Sequence, residues 1–418
     1  MPREEKVFIA SPEVIDPEGF LIAKYYVKSE LPLREAGVQI AKEESIGTWT
    51  EVKTTTLWAK LRLAAKVFKV EEDENIVYVA YPVELFDAEA GVANLLSIVA
   101  GNLFGLSSLE RVRLLDIQIP KCLAEFYRGP RYGIGGIRKI AKTDASPRPH
   151  LGVIVKPKVG LNPEETAKVV YEAAMGGADF IKDDETLVNQ PFCILEERVS
   201  KVMEALDKAN QELSKKPLYA VNITASYRKM VKNAEVAKDN GANMLMIDII
   251  TVGFSAFESF MGEGFNLPIH AHRAMHAAMT RVPDHGISML VFSKLARMIG
   301  ADQLHIGAAA GKMGEKDERS LKELKENADA LREGFYHYKP VFPVASGGIH
   351  PKLVPANVKF FGLDVIINAG GGVHGHPRGT RAGVRAMMQA IEASVKNIPL
   401  EEYARDHVEL REAIEIWS

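Results

Sequence analysis

The sequence predicts an α/β protein: a C-terminal (β/α)8 (TIM) barrel, residues 141–418, preceded by an α+β, ferredoxin-like domain, residues 1–140. From about residue 150, short β-branched runs alternate with amphipathic helical stretches, and this unit repeats eight times. The runs are almost continuously apolar, which is typical of parallel strands buried on both faces. A length of 418 residues accommodates a barrel of about 250 residues and a smaller domain. An open, doubly wound sheet is the alternative.

The barrel prediction rests on eight strands. They are expected at 152–158, 179–184, 218–224, 244–250, 268–273, 303–307, 341–346 and 365–369. A helix is predicted to begin after Asn162, which supplies an N-cap ahead of Pro163 at the first helical position, and to end at Gly176-Gly177. Residues 400–417 predict one or two further helices.

The segment before the barrel has a different pattern. Strands are predicted at 20–27, 65–70, 76–82 and 112–117, and helices near 32–42 and 88–99. That mixture is typical of an α+β domain. The uncharged stretch 90–109 is long enough to test as a membrane span, but Asn94 and Asn102 favour a buried helix that runs into a loop.

Composition excludes several classes of function. The net charge is −3 with both signs mixed along the chain, so there is no basic stripe for nucleic acid. The first six residues lack the basic-then-apolar order of a signal peptide, and the cysteines are only Cys122 and Cys193. We therefore expect a cytoplasmic protein with neither nucleic-acid nor membrane partners.

Polar residues and glycines cluster at the predicted carboxyl ends of the strands, where barrel active sites lie. They are Lys156, Lys158, Lys182, Asp184, Glu185, Asn222, Asp248, His270, His272, Arg273, His305, Ser346, Gly347, Gly348, Gly370, Gly371 and Gly372. Any one alone is more typical of a solvated side chain or a tight turn. Their joint placement at one rim predicts an active site.

The glycines predict where phosphate would bind. Gly347-Gly348 and 370–372 follow the seventh and eighth strands, where barrels commonly hold a phosphate on bare backbone N–H groups. Arg273 and His305 would hold a second phosphate across the mouth. A bisphosphorylated substrate fits this layout, and a pair of tight turns is the alternative interpretation of the glycines.

The stretch Lys182-Asp183-Asp184-Glu185 predicts a metal site. Lys182 and Asp184 share a face, because residues two apart on a strand point the same way. Two carboxylates are few ligands for Mg²⁺, and an ammonium beside them would oppose the metal. If the Lys182 amine adds CO₂, it becomes an anionic third oxygen ligand. A plain Lys182–Asp184 salt bridge is the alternative.

His270-Ala271-His272 has the spacing of a two-histidine metal site on a strand. It raises the alternative of a hydrolase in which a carbamylated lysine bridges two metals. Such hydrolases resemble a pattern with His-x-His on the first strand and an aspartate ending the eighth. Here the eighth strand ends in glycines, which disfavours this interpretation.

Together these stretches resemble the RuBisCO (ribulose-1,5-bisphosphate carboxylase/oxygenase) large-subunit family, from about residue 35 to the end. The matching motifs are Gly-Thr-Trp-Thr at 47–50, Ala-Gly-Asn-Leu-Phe-Gly at 100–105, Lys-Pro-Lys at 156–158, Gly-Ala-Asp-Phe-Ile-Lys-Asp-Asp-Glu at 177–185, His-Ala-His-Arg-Ala-Met-His at 270–276, His305 followed by Gly311-Lys312, Ser-Gly-Gly-Ile-His at 346–350, and the glycines at 370–372.

The resemblance implies the catalytic roles. Lys182, carbamylated by CO₂, would hold Mg²⁺ with Asp184 and Glu185 and take the C3 proton from ribulose bisphosphate. The metal would stabilise the enediolate. Proton transfer would fall to Lys156, tuned by Lys158, and to His272; Lys312, on a mobile loop, would meet the incoming CO₂ or O₂. The products of carboxylation would be two 3-phosphoglycerates, in archaeal nucleotide (AMP) salvage or a related CO₂-fixing route.

The resemblance also implies the binding residues. One phosphate would bind Gly348, Gly370 and Gly371 with Thr48 and Trp49, and the other Arg273, His305 and Ser346 beside Gly347. In the family, Glu43, Thr48, Trp49 and Asn102 reach the site from the partner subunit. A homodimer or a ring of homodimers is therefore implied, and a small subunit is not expected.

Several positions depart from photosynthetic members and look like archaeal form III. Ile154 stands in place of a threonine, Asn368 in place of a glutamine, and 306–310 lacks the usual hydroxyls. The competing interpretations are a RuBisCO-like enolase or isomerase of sulfur salvage and a non-catalytic scaffold barrel. The enolase is disfavoured because Glu43, Trp49, Asn102 and Lys312 are all present.

Overall fold

The structure, a computed structural model, describes residues 5–48, 50, 52–312, 314 and 317–417. It packs as two compact units. The N-terminal unit combines residues up to 128 with 275–298, and the barrel unit combines 129–274 with the chain from 299 onward. These are units of packing, and the assignment of 1–140 and 141–418 to separate domains stays a prediction.

The described residues contain strands and helices in the following chain order. The strands are β1 (Phe20–Lys28), β2 (Lys66–Glu71), β3 (Ile76–Pro82), β4 (Arg111–Gln118), β5 (His150–Ile154), β6 (Phe180–Lys182), β7 (Leu218–Asn222), β8 (Met244–Asp248), β9 (Ile269–His272), β10 (Gly286–Ile287), β11 (Gln303–His305), β12 (Phe342–Ser346) and β13 (Ile366–Ala369). The helices are α1 (Leu33–Glu43), α2 (Leu57–Arg62), α3 (Gly91–Val99), α4 (Lys121–Ala124), α5 (Gly133–Ile140), α6 (Pro163–Gly176), α7 (Leu195–Leu213), α8 (Tyr227–Asp239), α9 (Ile249–Val252), α10 (Phe254–Gly262), α11 (Ala277–Thr280), α12 (Met289–Ile299), α13 (Glu318–Arg332), α14 (Val354–Phe361), α15 (Gly371–His374), α16 (Thr380–Val395), α17 (Leu400–Tyr403) and α18 (Val408–Ile416).

The N-terminal unit is built on a five-stranded mixed sheet in the order β10-β4-β1-β3-β2. Strand β1 pairs antiparallel with β3 and β4, and β10 adds to β4 in parallel. Along β1 every second side chain is buried, the pattern of a strand with one face on a core. The α+β prediction is confirmed.

The barrel unit is a closed eight-stranded barrel in the order β11-β12-β13-β5-β6-β7-β8-β9, with every neighbouring pair parallel. Closure confirms the (β/α)8 prediction and rules out the open sheet. Its core includes Phe180, Met244 and Phe342, against which Ile134 and Ile137 of α5 are packed. Each of the eight predicted strands is present, most of them shorter at one or both ends.

The largest difference from a predicted strand end is at β5. Strand β5 stops at Ile154, not at residue 158, so Lys156 and Lys158 lie in the loop that follows it. Pro157 explains the early end, because proline has no N–H to donate to a sheet. Both lysines therefore sit on a loop above the rim of the barrel.

The local signals for helices are confirmed. Asn162 caps α6 by accepting from the Glu165 N–H, and the Glu165 side chain accepts in return from the Asn162 N–H. The stretch 90–109 forms α3 followed by a short 3-10 turn, as expected. No helix in the described part of the chain is long and apolar enough to cross a membrane.

Candidate active site

Lys182 is the last residue of β6 and lies inside the barrel with no exposed surface. Its Nζ donates to the backbone oxygen of Asp183 at 2.7 Å and lies 3.9 Å from Glu185 Oε2. Burial lowers the pKa of Lys182 below its usual value of 10.5, because the charged ammonium loses its hydration. Burial therefore favours the neutral, nucleophilic form of this amine.

Asp184 and Glu185 lie two and three residues after Lys182. Their negative charges are neutralised by Lys156 and Lys158 of the loop that follows β5. Asp184 Oδ2 accepts from Lys156 Nζ at 2.5 Å, and Glu185 Oε1 accepts from Lys158 Nζ at 3.0 Å. Burial opposes ionisation of Glu185, but Lys182 and His272 overcome it and lower its pKa to about 2. The alternative Lys182–Asp184 salt bridge does not occur among the described residues, since Asp184 pairs with Lys156 and Lys158.

Neighbouring buried side chains fix the backbone of residues 183–185. Asp183 points away from the rim and pairs with Arg198 at 3.2 Å, and it also accepts from the Tyr219 hydroxyl and the Asn222 N–H. The Asn222 side chain donates to the backbone oxygens of Asp184 (3.3 Å) and Glu185 (3.0 Å). The two carboxylates beside Lys182 are thereby held on a fixed backbone.

The sequence predicts a Mg²⁺ site formed by Lys182, Asp184 and Glu185. Among the described residues, no three His, Cys, Asp or Glu side chains converge so that they could hold a metal. Asp184 and Glu185 supply two oxygen donors, and the buried amine of Lys182 is the group beside them that can gain an oxygen by adding CO₂. This donor set fits Mg²⁺ once Lys182 is modified.

Two histidines of β9 have different environments. The His272 Nδ1 bonds Asp248 Oδ1 at 2.7 Å, and its Nε2 lies 3.9 Å from Glu185 Oε2. His270 is fully buried and bonds Gln303 and His305. Because the Nε2 of His270 is occupied by His305, the two histidines do not form the two-histidine metal site of the hydrolase alternative.

The glycine rim is placed as predicted after β12 and β13. Gly347 and Gly348 have φ angles of +117° and +77°, which favour glycine, and a Cβ on Gly348 would collide with Lys312. A Cβ on Gly370 would lie 2.9 Å from the Cε of Lys156. Two of the predicted catalytic lysines thus lie against bare backbone of the predicted phosphate sites.

Arg273 directly follows β9 and is partly buried, and Ser346 ends β12 with its hydroxyl 2.8 Å from the Nδ1 of His305. Gly371 begins α15 beside the end of β13. The structure therefore brings all the barrel residues of the predicted site to the carboxyl ends of the strands.

The predicted residues outside the barrel unit belong to the N-terminal unit. The Nδ2 of Asn102 lies 3.4 Å from Glu43 Oε1, and Thr48 is partly buried. Trp49 lies outside the described residues. Sequence analysis grouped Glu43 and Asn102 by resemblance, and the structure brings them into contact.

Sequence reasoning missed the buried Asn357 of α14. Its side chain accepts from the N–H groups of Ala309 and Ala310, at 3.0 and 3.4 Å, and donates to the Ala310 oxygen at 2.8 Å. It fixes the base of the loop that carries Lys312. The only sequence signal was an asparagine on the apolar face of a helix, which has many structural explanations.

Fold and site together define an α/β-barrel enzyme with a lysine–carboxylate centre and a glycine-lined rim. The chain matches the family of the ribulose bisphosphate carboxylase large chain, with the catalytic domain at residues 135–417 and the N-terminal domain at 13–123. It belongs to the RuBisCO large-chain family and is an enzyme of the carbon–carbon lyase (carboxylase) class.

The chain is similar to archaeal enzymes. It is 47% identical to the ribulose bisphosphate carboxylase of Methanocaldococcus jannaschii, over 96% of this chain and 97% of the relative. Among solved structures, it is similar to the octameric Rubisco of Pyrococcus horikoshii, with a TM-score of 0.92, 41% identity and coverage of 98% and 96% of the two chains. It is also similar to the dimeric Rubisco of Hyperthermus butylicus, with a TM-score of 0.88, 38% identity and 99% coverage of both chains.

Proposed function

We propose that the chain is a Mg²⁺- and carbamate-dependent ribulose-1,5-bisphosphate carboxylase/oxygenase that converts the bisphosphate, CO₂ and water to two 3-phosphoglycerates. The observation that carries the proposal is the fully buried Lys182, with a lowered pKa, next to the carboxylates of Asp184 and Glu185. Burying a lysine costs the fold free energy that an apolar residue of similar size would not cost, which favours a chemical role for Lys182.

The first step prepares the centre. The neutral amine of Lys182 would attack CO₂: an N–C bond forms as one C=O π pair moves to oxygen, and the nitrogen loses a proton to water, which leaves an anionic carbamate. Lys156 and Lys158 already neutralise the adjacent carboxylates, and their side chains are 28% and 56% exposed. They are therefore free to turn toward other partners when the centre is assembled.

The carbamate of Lys182 would hold Mg²⁺ with Asp184 and Glu185. The bound metal would supply a Lewis acid for the oxygens of the substrate. The backbone that presents these ligands is kept in place by Asn222 and by the Asp183–Arg198 pair. Metal affinity should therefore depend on these anchoring residues as well as on the ligands.

Proton transfers are assigned to residues around the centre. Lys182, in its carbamylated form, would accept the C3 proton of the bisphosphate as the enediol forms. Lys156 carries protons to and from the reacting carbons, with Lys158 beside it on the same loop. His272 assists in hydration, and Asp248 holds its ring by accepting from Nδ1. Lys312 closes over the site with its loop and meets the CO₂ or O₂.

The two phosphates occupy opposite sides of the mouth. One binds the backbone of Gly348, Gly370 and Gly371, with Thr48 and Trp49 contributed by a partner subunit. The other binds Arg273 and Ser346 beside Gly347, and His305 contributes through its Nδ1, which lies 2.8 Å from the Ser346 hydroxyl. Gly347 and Gly348, which follow β12, have positive φ angles that favour glycine, so no side chain covers the backbone at this part of the rim.

Assembly as a homodimer, or as a ring of homodimers, follows from the same assignment, since Glu43, Thr48, Trp49 and Asn102 act on the partner's site. The octameric Rubisco of Pyrococcus horikoshii and the dimeric Rubisco of Hyperthermus butylicus support it. We place the enzyme in the cytoplasm, where its unpaired Cys122 and Cys193 suit a reducing environment. Its role there is nucleotide (AMP) salvage or a related CO₂-fixing route.

The test is incorporation of ¹⁴CO₂ into acid-stable 3-phosphoglycerate from ribulose bisphosphate, under anaerobic conditions after preincubation with bicarbonate and Mg²⁺. Product that depends on the preincubation is expected, because the carbamate and metal must form first. No product, with the bisphosphate bound and its C3 proton exchanged, would replace the carboxylase with the RuBisCO-like enolase. Binding without exchange, independent of Mg²⁺, would favour the scaffold barrel.

A further inference from the structure

A chain of hydrogen bonds runs from the interior of the barrel to its rim. Gln303 Oε1 lies 2.9 Å from His270 Nδ1, His270 Nε2 lies 2.9 Å from His305 Nε2, and His305 Nδ1 lies 2.8 Å from Ser346 Oγ. Gln303 and His270 have no exposed surface, and His305 is 3% exposed. The chain therefore connects a buried amide to a hydroxyl at the predicted phosphate site.

All the hydrogen bonds in this chain must be donated in the same direction. Burial holds the pKa values of His270 and His305 well below 6.5, so each ring is neutral and carries one N–H. If Gln303 accepts through Oε1, His270 must donate from Nδ1, His305 must donate to His270, and Ser346 must donate its only hydrogen to His305. Ser346 would then present only lone pairs, which repel a phosphate.

The same heavy-atom positions allow the opposite direction. With the Gln303 amide rotated, its Nε2–H donates to His270, His270 donates to His305, and His305 donates to Ser346. The hydroxyl hydrogen of Ser346 is then available for a phosphate oxygen. In the first orientation the buried Nε2 of Gln303 has no acceptor. Rotating the amide gives this donor a partner, which favours the outward direction. Unpaired buried N–H groups are rarer than unpaired carbonyl oxygens.

We propose that Gln303 is a positioning residue that turns the hydrogen-bond chain outward, so that Ser346 donates to a phosphate group of the substrate. The proposal rests on the proposed function, which puts a phosphate at Ser346. It adds a buried amide, outside any contact with substrate, as a determinant of phosphate affinity. His270 acts in the same way, as the link that transmits the direction.

The test compares Gln303→Glu with Gln303→Met at pH 8.5, where the imidazoles are neutral. An ionised glutamate can only accept, so a neutral His270 must donate to it from Nδ1, which forces the inward direction and removes the Ser346 donor. We expect the KM for ribulose bisphosphate and the inhibition constant of inorganic phosphate to rise roughly tenfold, the scale of a hydrogen bond to a charged group. The kcat should change less than about threefold, since the reacting carbons are untouched. Methionine imposes no direction and should show the smaller rise.

Introducing Gln303→Glu into a Ser346→Ala variant distinguishes loss of the Ser346 donor from structural damage. There the donor is already absent, so Gln303→Glu should add less than about twofold to either constant. A full tenfold effect in that background, or equal constants for wild type and Gln303→Glu, would overturn the proposal. If the wild type does not turn over ribulose bisphosphate, the proposed function fails, while calorimetric binding of inorganic phosphate to wild type and Gln303→Glu still decides the role of Gln303.

Discussion

The two ends of strand β6 both carry a buried aspartate, and the two carboxylates differ in how they are paired. Asp179, at the amino end, accepts two hydrogen bonds from Arg148 at 2.7 and 2.8 Å, one from Lys215 at 2.8 Å and one from the Leu151 N–H at 2.9 Å. Burial opposes its ionisation, yet these donors hold its pKa below the usual range.

At the carboxyl end, Asp184 and Glu185 are matched by lysines from a loop, and the buried Lys182 has no carboxylate closer than 3.9 Å among the described residues. Burial stabilises the neutral amine instead of an ion pair. The amino end is thus a completed network, whereas the carboxyl end holds charges that are free to take other partners. The residues at the amino end therefore stabilise the fold, whereas those at the carboxyl end are available for chemistry.

The largest effect is expected for Lys182→Met at the carboxyl end. Carboxylation should fall by about 10³-fold or more, because the methionine cannot become an anionic oxygen ligand. The thermal unfolding midpoint should stay the same or rise, since an apolar chain replaces a buried amine. ¹⁴CO₂ incorporation and calorimetry measure the two effects. Turnover above a tenth of wild type would remove the carbamate from the mechanism.

The matched change at the amino end is Asp179→Ala. It leaves Arg148 and Lys215 without their carboxylate, so we expect the free energy of unfolding to fall by about 3–5 kcal/mol. Activity per folded molecule should be nearly unchanged, because no reacting group is touched. Denaturant unfolding and active-site titration check this. A variant that is stable but inactive would contradict the assignment of Asp179 to stability and not to catalysis.

Asp179 also predicts a pH dependence of stability. Its pKa is lowered in the folded state, so its contribution is present above the ordinary aspartate pKa of about 3.9 and is lost as the pH falls below that value. The difference in unfolding free energy between wild type and Asp179→Asn should therefore be larger at pH 7 than at pH 3. A constant difference would mean that the charge of Asp179 contributes nothing.

A smaller effect is expected for Lys312→Ala, which tests the rim and not the centre. Carboxylation should fall by about 10²-fold, while exchange of the C3 proton with solvent is reduced less, because Lys312 acts on the second substrate. Tritium release from C3-labelled ribulose bisphosphate measures the exchange. Equal losses in the two assays would place Lys312 in the first step.

The smallest effect is expected for Asp248→Asn, which keeps the shape but weakens the hold on His272. The asparagine amide can donate to Nδ1 and so favours the other tautomer of the ring. We expect kcat to fall by about tenfold, the usual scale for a group that orients a functional histidine. A change in KM alone would indicate that His272 binds the substrate without transferring protons.

The barrel and its rim were predictable because their signals are local. Continuous apolar runs such as residues 244–247 of β8 define strands buried on both faces, and the polar and turn residues after them define the rim. The resemblance to the RuBisCO family, carried by short motifs, is confirmed by the comparisons. The end of β5 was predicted wrongly because an apolar run does not show where pairing stops, although Pro157 was a visible signal.

The sequence by itself determined the class of fold, the eight strands and the joint placement of Lys182, Asp184 and Glu185, since these depend on period, burial preference and adjacency along the chain. Only the tertiary structure decided the partners of buried polar groups. Asp184 pairs with Lys156, Gln303 with His270, and Asn357 with the loop of Lys312. These partners are 28 to 47 residues apart in the chain, and their pairing depends on which strands and helices the closed barrel brings side by side.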